Sequence, residues 1–357
     1  GDLELPGGKI WQNRKSVMYR GRVPAERKPL LFFTGVLLFP KLLSGPLMDP
    51  LSLHEQLSDP PRPGLEDFDS GLRDFILGLS MKVLLANQIG GLWRQVGNIG
   101  YESVSTPLAW MGIAAYSLQL YLDFCGYSWM ALGLGRMLGF RLPRNFEHPY
   151  AARSMQDFWR RWHISLSTWF REYLYIPLGG NRKGRIRTYG NLLLTMLLGG
   201  LWHGAAVRFI LWGGLHGAAL ALHKLWMALV PGAKATGAQM HWWSRAAGML
   251  LTFNIVCLGW LMFRAESMQT VSLMLHQIFH NFNAPMIPQV VAGYAGVFAL
   301  IATGYLLHFL PARVDAAAQR VVTCAPLALQ VLLAAAMIWC VMQIKSSDIQ
   351  PFIYFQF

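Results

Sequence analysis

The sequence predicts an all-α, polytopic integral membrane protein, and three observations support that fold class. First, the 357 residues are 54% hydrophobic and only 14% charged, whereas soluble domains carry about 25% charge. Second, Ser103–Leu122, Thr188–Val207, Ala246–Phe263, Asn281–Ala312 and Val321–Ile344 contain no Asp, Glu, Lys or Arg. Each is close to or beyond the roughly 20 residues that a spanning helix needs. Third, the formal net charge is +13 with no soluble basic module in view. That pattern reads as cytoplasmic loops under the positive-inside rule rather than as a nucleic-acid surface.

In chain order, Gly1–Lys28 is a basic lead-in with seven Lys and Arg, expected to be cytoplasmic. The chain opens at Gly1 without Met, and the natural protein is expected to continue upstream. Residues 29–357 then form one transmembrane domain. Leu30–Met48 and Phe75–Trp93 are interrupted only by Lys41 and Lys82, which can snorkel or face the protein interior. Between them, Asp49–Asp74 contains DPPRPG and is expected to be a non-helical connection. Ser103–Phe140 reads as two helices with Asp123–Tyr127 near the middle. Gly133, Gly135 and Gly139 are placed to let a neighbouring backbone approach.

Arg141–Arg187 differs in kind, with ten Lys and Arg against three acids and seven aromatic residues between Phe158 and Tyr175. That mixture predicts short amphipathic or re-entrant helices at the interface, closed by the basic loop PLGGNRKGR. Beyond it come the Thr188–Val207 run, a short Gly-rich candidate helix Arg208–His223, a polar linker Pro231–Arg245 and three more spans. The terminal SSDIQPFIYFQF suggests no independent fold. Altogether the pattern predicts about eight membrane-embedded helices. Cys125, Cys257, Cys324 and Cys340 are scattered in apolar runs without CxxC spacing, so free buried thiols are expected rather than disulfides or zinc ligands.

Two histidines carry the chemistry. His203 lies within the uncharged run Thr188–Val207, and an ionisable group inside a membrane segment points to function because desolvating it is costly. His163 lies upstream among Trp159, Arg160, Arg161 and Trp162. The plainer alternatives are a structural histidine bonded to a neighbouring helix for His203 and a packing residue beside Trp162 for His163. His216 and His223 are seven apart, too widely spaced for a zinc pair without further ligands, and no metal is expected.

Longer motifs narrow this reading. YSLQLYLDFCGYSWMALGLGRMLGFRLPRNFEHPY, DFWRRWHISLSTWFREYLYIPLGGNRKG and NLLLTMLLGGLWHGA resemble the bacterial membrane-bound O-acyltransferases. They are most similar to the branch that acetylates exopolysaccharides such as alginate and cellulose. FPKLLSGPL and the terminal PFIYFQF are similar to that branch as well. The resemblance covers roughly Tyr19 to Phe357. It departs at the beginning, where family members carry additional membrane helices and where LPGGKIWQNRKSVMYRG lacks the apolar residues usual ahead of YRG.

The resemblance implies helices around a central passage, with re-entrant or interfacial pieces and a catalytic core at about 103–223. It also implies a bacterial inner-membrane O-acetyltransferase. An acetyl group, supplied by acetyl-CoA as donor substrate with no bound cofactor, would pass to an exopolysaccharide or to a periplasmic relay protein. His203, next to Trp202 in the WHG motif, falls at the family's catalytic position. A neutral imidazole there is suited to removing a proton from a sugar hydroxyl. His163 matches the second essential histidine and would orient the acceptor, stabilise the oxyanion or assist proton transfer. Asp123 matches a family motif, with a structural salt bridge as the alternative, and Asp157 is spaced to pair with Arg160 or Arg161.

Arg160, Arg161, Arg182, Lys183 and Arg185 suit the phosphates of coenzyme A, with positive-inside charge as their alternative. Asn181, following Gly179 and Gly180, sits in a loop able to approach a nucleotide. The partners implied are acetyl-CoA, periplasmic acetylation proteins, the polysaccharide acceptor and membrane lipid. Three other readings stay open: D-alanyl transfer to teichoic acid, a proton-coupled transporter, and a non-catalytic scaffold.

Overall fold

The computed structural model describes residues 28–41, 45–230, 241–311, 313–314, 317, 320–321 and 324–343, and among them every regular element is helical. Two short helices, α1 (Pro29–Leu37) and α2 (Pro50–Ser58), each begin with proline at the first turn, where its missing N–H costs nothing. The expected span Leu30–Met48 is therefore a nine-residue helix followed by one 3₁₀ turn at Phe39–Lys41. Asp49–Asp74 is also corrected. It holds α2 and the start of α3 (Leu65–Ile99), and only the proline-rich segment between Ser58 and Leu65 breaks the helix.

The next helix, α4 (Thr106–Met137), runs unbroken for 32 residues where two helices were expected. Its glycines are packing surfaces, as expected for Gly133. Gly126 and Gly133 of α4 face Gly78 and Gly71 of α3, and a Cβ on Gly71 would stand 2.6 Å from the carbonyl oxygen of Gly133. Only paired glycines permit that approach. Asp123, in the middle of α4, forms an ion pair with Lys82, which lies on the π-helical turns Met81–Ala86 of α3. A buried charge with a cationic partner does not need to end the helix.

A loop leads from α4 through Asn145 to two seven-residue helices, α5 (Met155–Arg161) and α6 (Ile164–Phe170), the latter continued by π turns at Arg171–Tyr175. These are the short pieces expected within Arg141–Arg187. The hairpin partners follow, α7 (Arg185–His203) and α8 (Val207–Leu229), packed closely through Gly200, Gly213 and Gly217. Gly204 ends α7, so His203 is its last residue rather than mid-span. The remaining helices are α9 (Trp242–Arg264), α10 (Met268–His280), α11 (Met286–Gly293), α12 (Ala295–Phe309) and α13 (Leu327–Gln343). The helix α9 begins inside the segment expected to be a polar linker.

Among the described residues, α3 and α9 are by length and composition apolar enough to cross a membrane, and α11 with α12, bent by 88°, makes a third if taken as one span. This is fewer than the about eight embedded helices expected from charge-poor runs. Runs such as Ser103–Leu122 lack charge but contain Gly, Ser, Gln, Trp and Tyr, and much of α4 is buried against protein. The core lies where α4, α5, α8 and α9 meet, around Ile113, Leu118, Phe124, Phe158, Trp162 and Trp260. Cys125 and Cys257 are buried free thiols, but Cys324 and Cys340 are exposed, contrary to expectation. The lead-in up to Arg27 and the terminal SSDIQPFIYFQF lie outside the described residues.

Candidate active site

A cavity of about 390 Å³ opens between α5, α6, α7 and α8, with Trp260 of α9 also lining it. Its buried end is formed by Trp162, His163, Trp212 and Trp260. Its mouth is formed by the exposed Arg160, Arg171 and Asn181 with the half-buried Tyr175 and Lys224. Leu166, Phe170, Leu192 and Met196 make the wall apolar. His163 and His203 line this one cavity although forty residues separate them.

Each histidine is held by its local fold. His203 stands edge-on to Trp212, with ring centroids 5.2 Å apart, and to Phe263, 5.0 Å apart. Trp202 covers its other side at 4.9 Å while remaining largely exposed itself. Arg208 donates to the carbonyl oxygens of Phe263 and Ala265, which locks the end of α9 to the start of α8. His163 has φ 44° and ψ 54°, a left-handed conformation at the N-cap of α6. Such a conformation persists only where its surroundings impose it. Here Ile164 N–H donates to Asn145 O at 2.9 Å and Glu147 N–H to Arg161 O at 3.0 Å, clamping the turn from both sides. Nδ1 of His163 lies 3.2 Å from Oδ1 of Asn145, and the ring stands edge-on to Phe124. Burial lowers the pKa of His163 to about 3, with a smaller contribution from the nearby His203. The imidazole is therefore neutral at physiological pH, the form in which it accepts a proton.

The acidic candidates sit elsewhere. Asp123 is tied to Lys82 inside the α3–α4 pair, the structural alternative for this residue. Asp157 completes a cap on α5. Ser154 Oγ accepts from Asp157 N–H at 3.2 Å, Asp157 Oδ2 accepts from Arg153 N–H at 3.2 Å, and Arg161 Nε donates to Asp157 Oδ1 at 2.9 Å. Neither carboxylate lines the cavity.

Of the cationic and loop candidates, Arg160 and Asn181 reach the mouth, whereas Arg161, Arg182, Lys183 and Arg185 do not. The loop carrying Asn181 is well braced. Asn191 Nδ2 donates to Gly180 O at 3.1 Å, and Tyr175 Oη and Lys224 Nζ donate to Asn181 Oδ1 at 2.5 and 3.0 Å. Lys224 and Arg171 were not singled out in the sequence. Lys224 lies one position beyond the expected end of its helix, and α8 in fact runs to Leu229. Its place as one of two Lys or Arg residues, with Arg208, on an otherwise largely apolar helix was the available signal. His216, in contrast, is fully buried among Trp159, Trp212 and Trp260, and it does not line the cavity.

Residues 101–263, which contain the whole cavity, match the model of the membrane-bound O-acyltransferase family. The chain carries a membrane-bound O-acyltransferase domain there. It is 43% identical over 262 residues to a probable alginate O-acetylase of Pseudomonas syringae pv. tomato, covering 73% of this chain and 48% of the relative. It is 40% identical over 240 residues to a peptidoglycan O-acetyltransferase of Helicobacter pylori, covering 66% of this chain and 44% of the relative. A teichoic acid D-alanyltransferase of Bacillus subtilis is 26% identical over 276 residues, 74% of this chain and 67% of the relative. The chain thus spans about half the length of the alginate O-acetylases that it matches.

Proposed function

We propose that this chain is the acyl-transferring part of a bacterial inner-membrane O-acetyltransferase. In this reading it moves acetyl from acetyl-CoA, bound at the cytoplasmic mouth, to hydroxyl groups of an exopolysaccharide or to a periplasmic relay protein. The observation that carries the reading is the joint presence of His163 and His203 at one cavity whose mouth is cationic and whose buried end is aromatic. The kinship to alginate and peptidoglycan O-acetyltransferases supports the same class of transfer.

The chemistry follows from that arrangement. Arg160, Arg171 and Lys224 attract the phosphates of the donor at the mouth. The apolar wall takes the pantetheine arm and excludes water, which protects the thioester from hydrolysis. His203 takes the proton of the acceptor hydroxyl as its oxygen attacks the thioester carbonyl. When the tetrahedral intermediate collapses, the new C–O bond is retained, the C–S bond breaks, and the coenzyme A thiolate takes that proton back from the imidazolium. Asp123 and Asp157 act through the scaffold, Trp202 covers His203, and Arg161, Arg182 and Lys183 supply cytoplasmic charge.

The test uses the protein in proteoliposomes with labelled acetyl-CoA outside, together with alginate oligosaccharide as acceptor. Wild type releases coenzyme A and labels the acceptor, and His203→Ala does neither while inserting normally. A fully active His203→Ala protein overturns the general-base assignment. Turnover only with a D-alanyl carrier protein would instead favour the teichoic-acid branch, to which the chain is also related.

A further inference from the structure

We infer that Asn145 is a positioning residue that holds His163 in the tautomer with hydrogen on Nδ1, so that Nε2 presents a lone pair to the cavity. The inference rests on the O-acyltransfer reading for its catalytic meaning, but the tautomer itself follows from hydrogen bonds whose direction is forced.

Two backbone N–H groups, which can only donate, fix the orientation of the amide. Ser165 N–H lies 3.2 Å from Asn145 Oδ1, so the atom facing it must be the amide oxygen and not the amide nitrogen. Leu47 N–H donates to Ser165 Oγ at 3.1 Å. The hydroxyl hydrogen of Ser165 is then free to be donated to Asn145 Oδ1 at 2.8 Å, which again requires an oxygen there. Asn145 Nδ2 is left on the other side, donating to Ser128 Oγ at 3.4 Å. With the oxygen fixed, His163 Nδ1, at 3.2 Å from it, must carry hydrogen, because a bare nitrogen would set lone pair against lone pair. A neutral imidazole holds one N–H, so Nε2 is the acceptor.

The setting makes this assignment rigid. Asn145 is 1% exposed, and its backbone oxygen also accepts from Ile164 N–H. One residue thus caps the first two N–H groups of α6 and orients the imidazole at its N-cap. The left-handed backbone of His163 is the conformation this double grip imposes. Among the described residues no hydrogen bond is made to Nε2 of His163, and the residue lines the cavity. Three roles are open to His163 on sequence grounds, and the tautomer selects among them. A neutral imidazole with bare Nε2 does not donate to an oxyanion. It accepts from the acceptor hydroxyl, orienting it for attack or sharing its proton with His203.

Nitrogen-15 NMR of the histidine-labelled protein in lipid tests the tautomer directly, with the His163 signals identified by their loss in His163→Gln. Protonated Nδ1 and bare Nε2 are expected, and the reverse pattern overturns the inference even if no acyl transfer is detected. Activity supplies the second arm. Asn145→Asp keeps an acceptor at the same place and adds charge that favours imidazolium. It should retain turnover while the acid limb of the kcat–pH profile moves to higher pH. Asn145→Leu removes the acceptor and should lower kcat by about 100-fold with the donor KM unchanged. An Asn145→Asp profile superimposed on wild type overturns the positioning role, and this arm remains decisive where Asn145→Leu fails to fold.

Discussion

Two regions of this protein bury ionisable groups at the heart of a helical bundle and handle them in opposite ways. In the α3–α4 pair, Lys82 and Asp123 neutralise one another across an interface drawn tight by facing glycines. At the junction of α5 to α8, His163 and His203 face a shared cavity, with aromatic rings and one amide as their supports. The first arrangement leaves no reactive group, because a buried charge is tolerable when its counter-charge is in place. The second places its groups beside open space, because a neutral imidazole is cheap to bury. Burial alone therefore does not mark a site. What distinguishes the two is whether a cavity adjoins the group.

The sharpest way to break that comparison is to remove one member on each side. His203→Ala should reduce acyl transfer by roughly 10²–10⁴-fold, the range for a general base, while the melting temperature in detergent stays near wild type. A large loss of thermal stability instead would move His203 to the structural side. Asp123→Asn should do the reverse, destabilising the fold by up to about 3 kcal/mol because the half-buried Lys82 loses its counter-charge. The double variant Lys82→Met, Asp123→Leu should recover most of that loss, as measured by denaturation in detergent. A double variant as unstable as the single one would assign Asp123 a role beyond the pair.

Smaller effects sharpen the contrast between adjacent arginines. Arg160 lines the cavity mouth, whereas Arg161 is held by Asp157. Arg160→Gln should raise the donor KM by roughly up to fivefold, as exposed ionic contacts are worth about 0.2–1 kcal/mol. Arg161→Gln should leave it unchanged, and equal KM values for all three proteins would return Arg160 to general surface charge. Ser154→Ala, which removes the cap of α5, should cost about 1 kcal/mol of stability. Its kcat should be unaffected if α5 only carries the cavity wall.

Much of this was legible in the residues themselves. The uncharged runs specified helices in a membrane, and His163 and His203 stood out because imidazole is rare in such surroundings. Where the reading failed, local signals were overridden by distant partners. The polar Asp123–Tyr127 segment of Ser103–Phe140 suggested two helices, yet Lys82, far back in the chain, makes Asp123 compatible with one. DPPRPG interrupts the helices only between Ser58 and Leu65, because α3 starts directly after it, with Asp67 Oδ2 accepting from Gly64 N–H. Asn145 carried no signal, because a single asparagine in a loop is ordinary until its burial and its three donors are known.

The sequence by itself determined the class of molecule and singled out the two histidines, because these depend on composition and on contiguous motifs. Only the tertiary structure decided which charges are spent on one another, which arginine reaches the cavity and which nitrogen of His163 is bare. Those outcomes depend on pairs such as Lys82 with Asp123 and Asn145 with His163. Hydrogen bonds and ion pairs act over a few ångströms in space, and separation along the chain does not encode which groups will come that close.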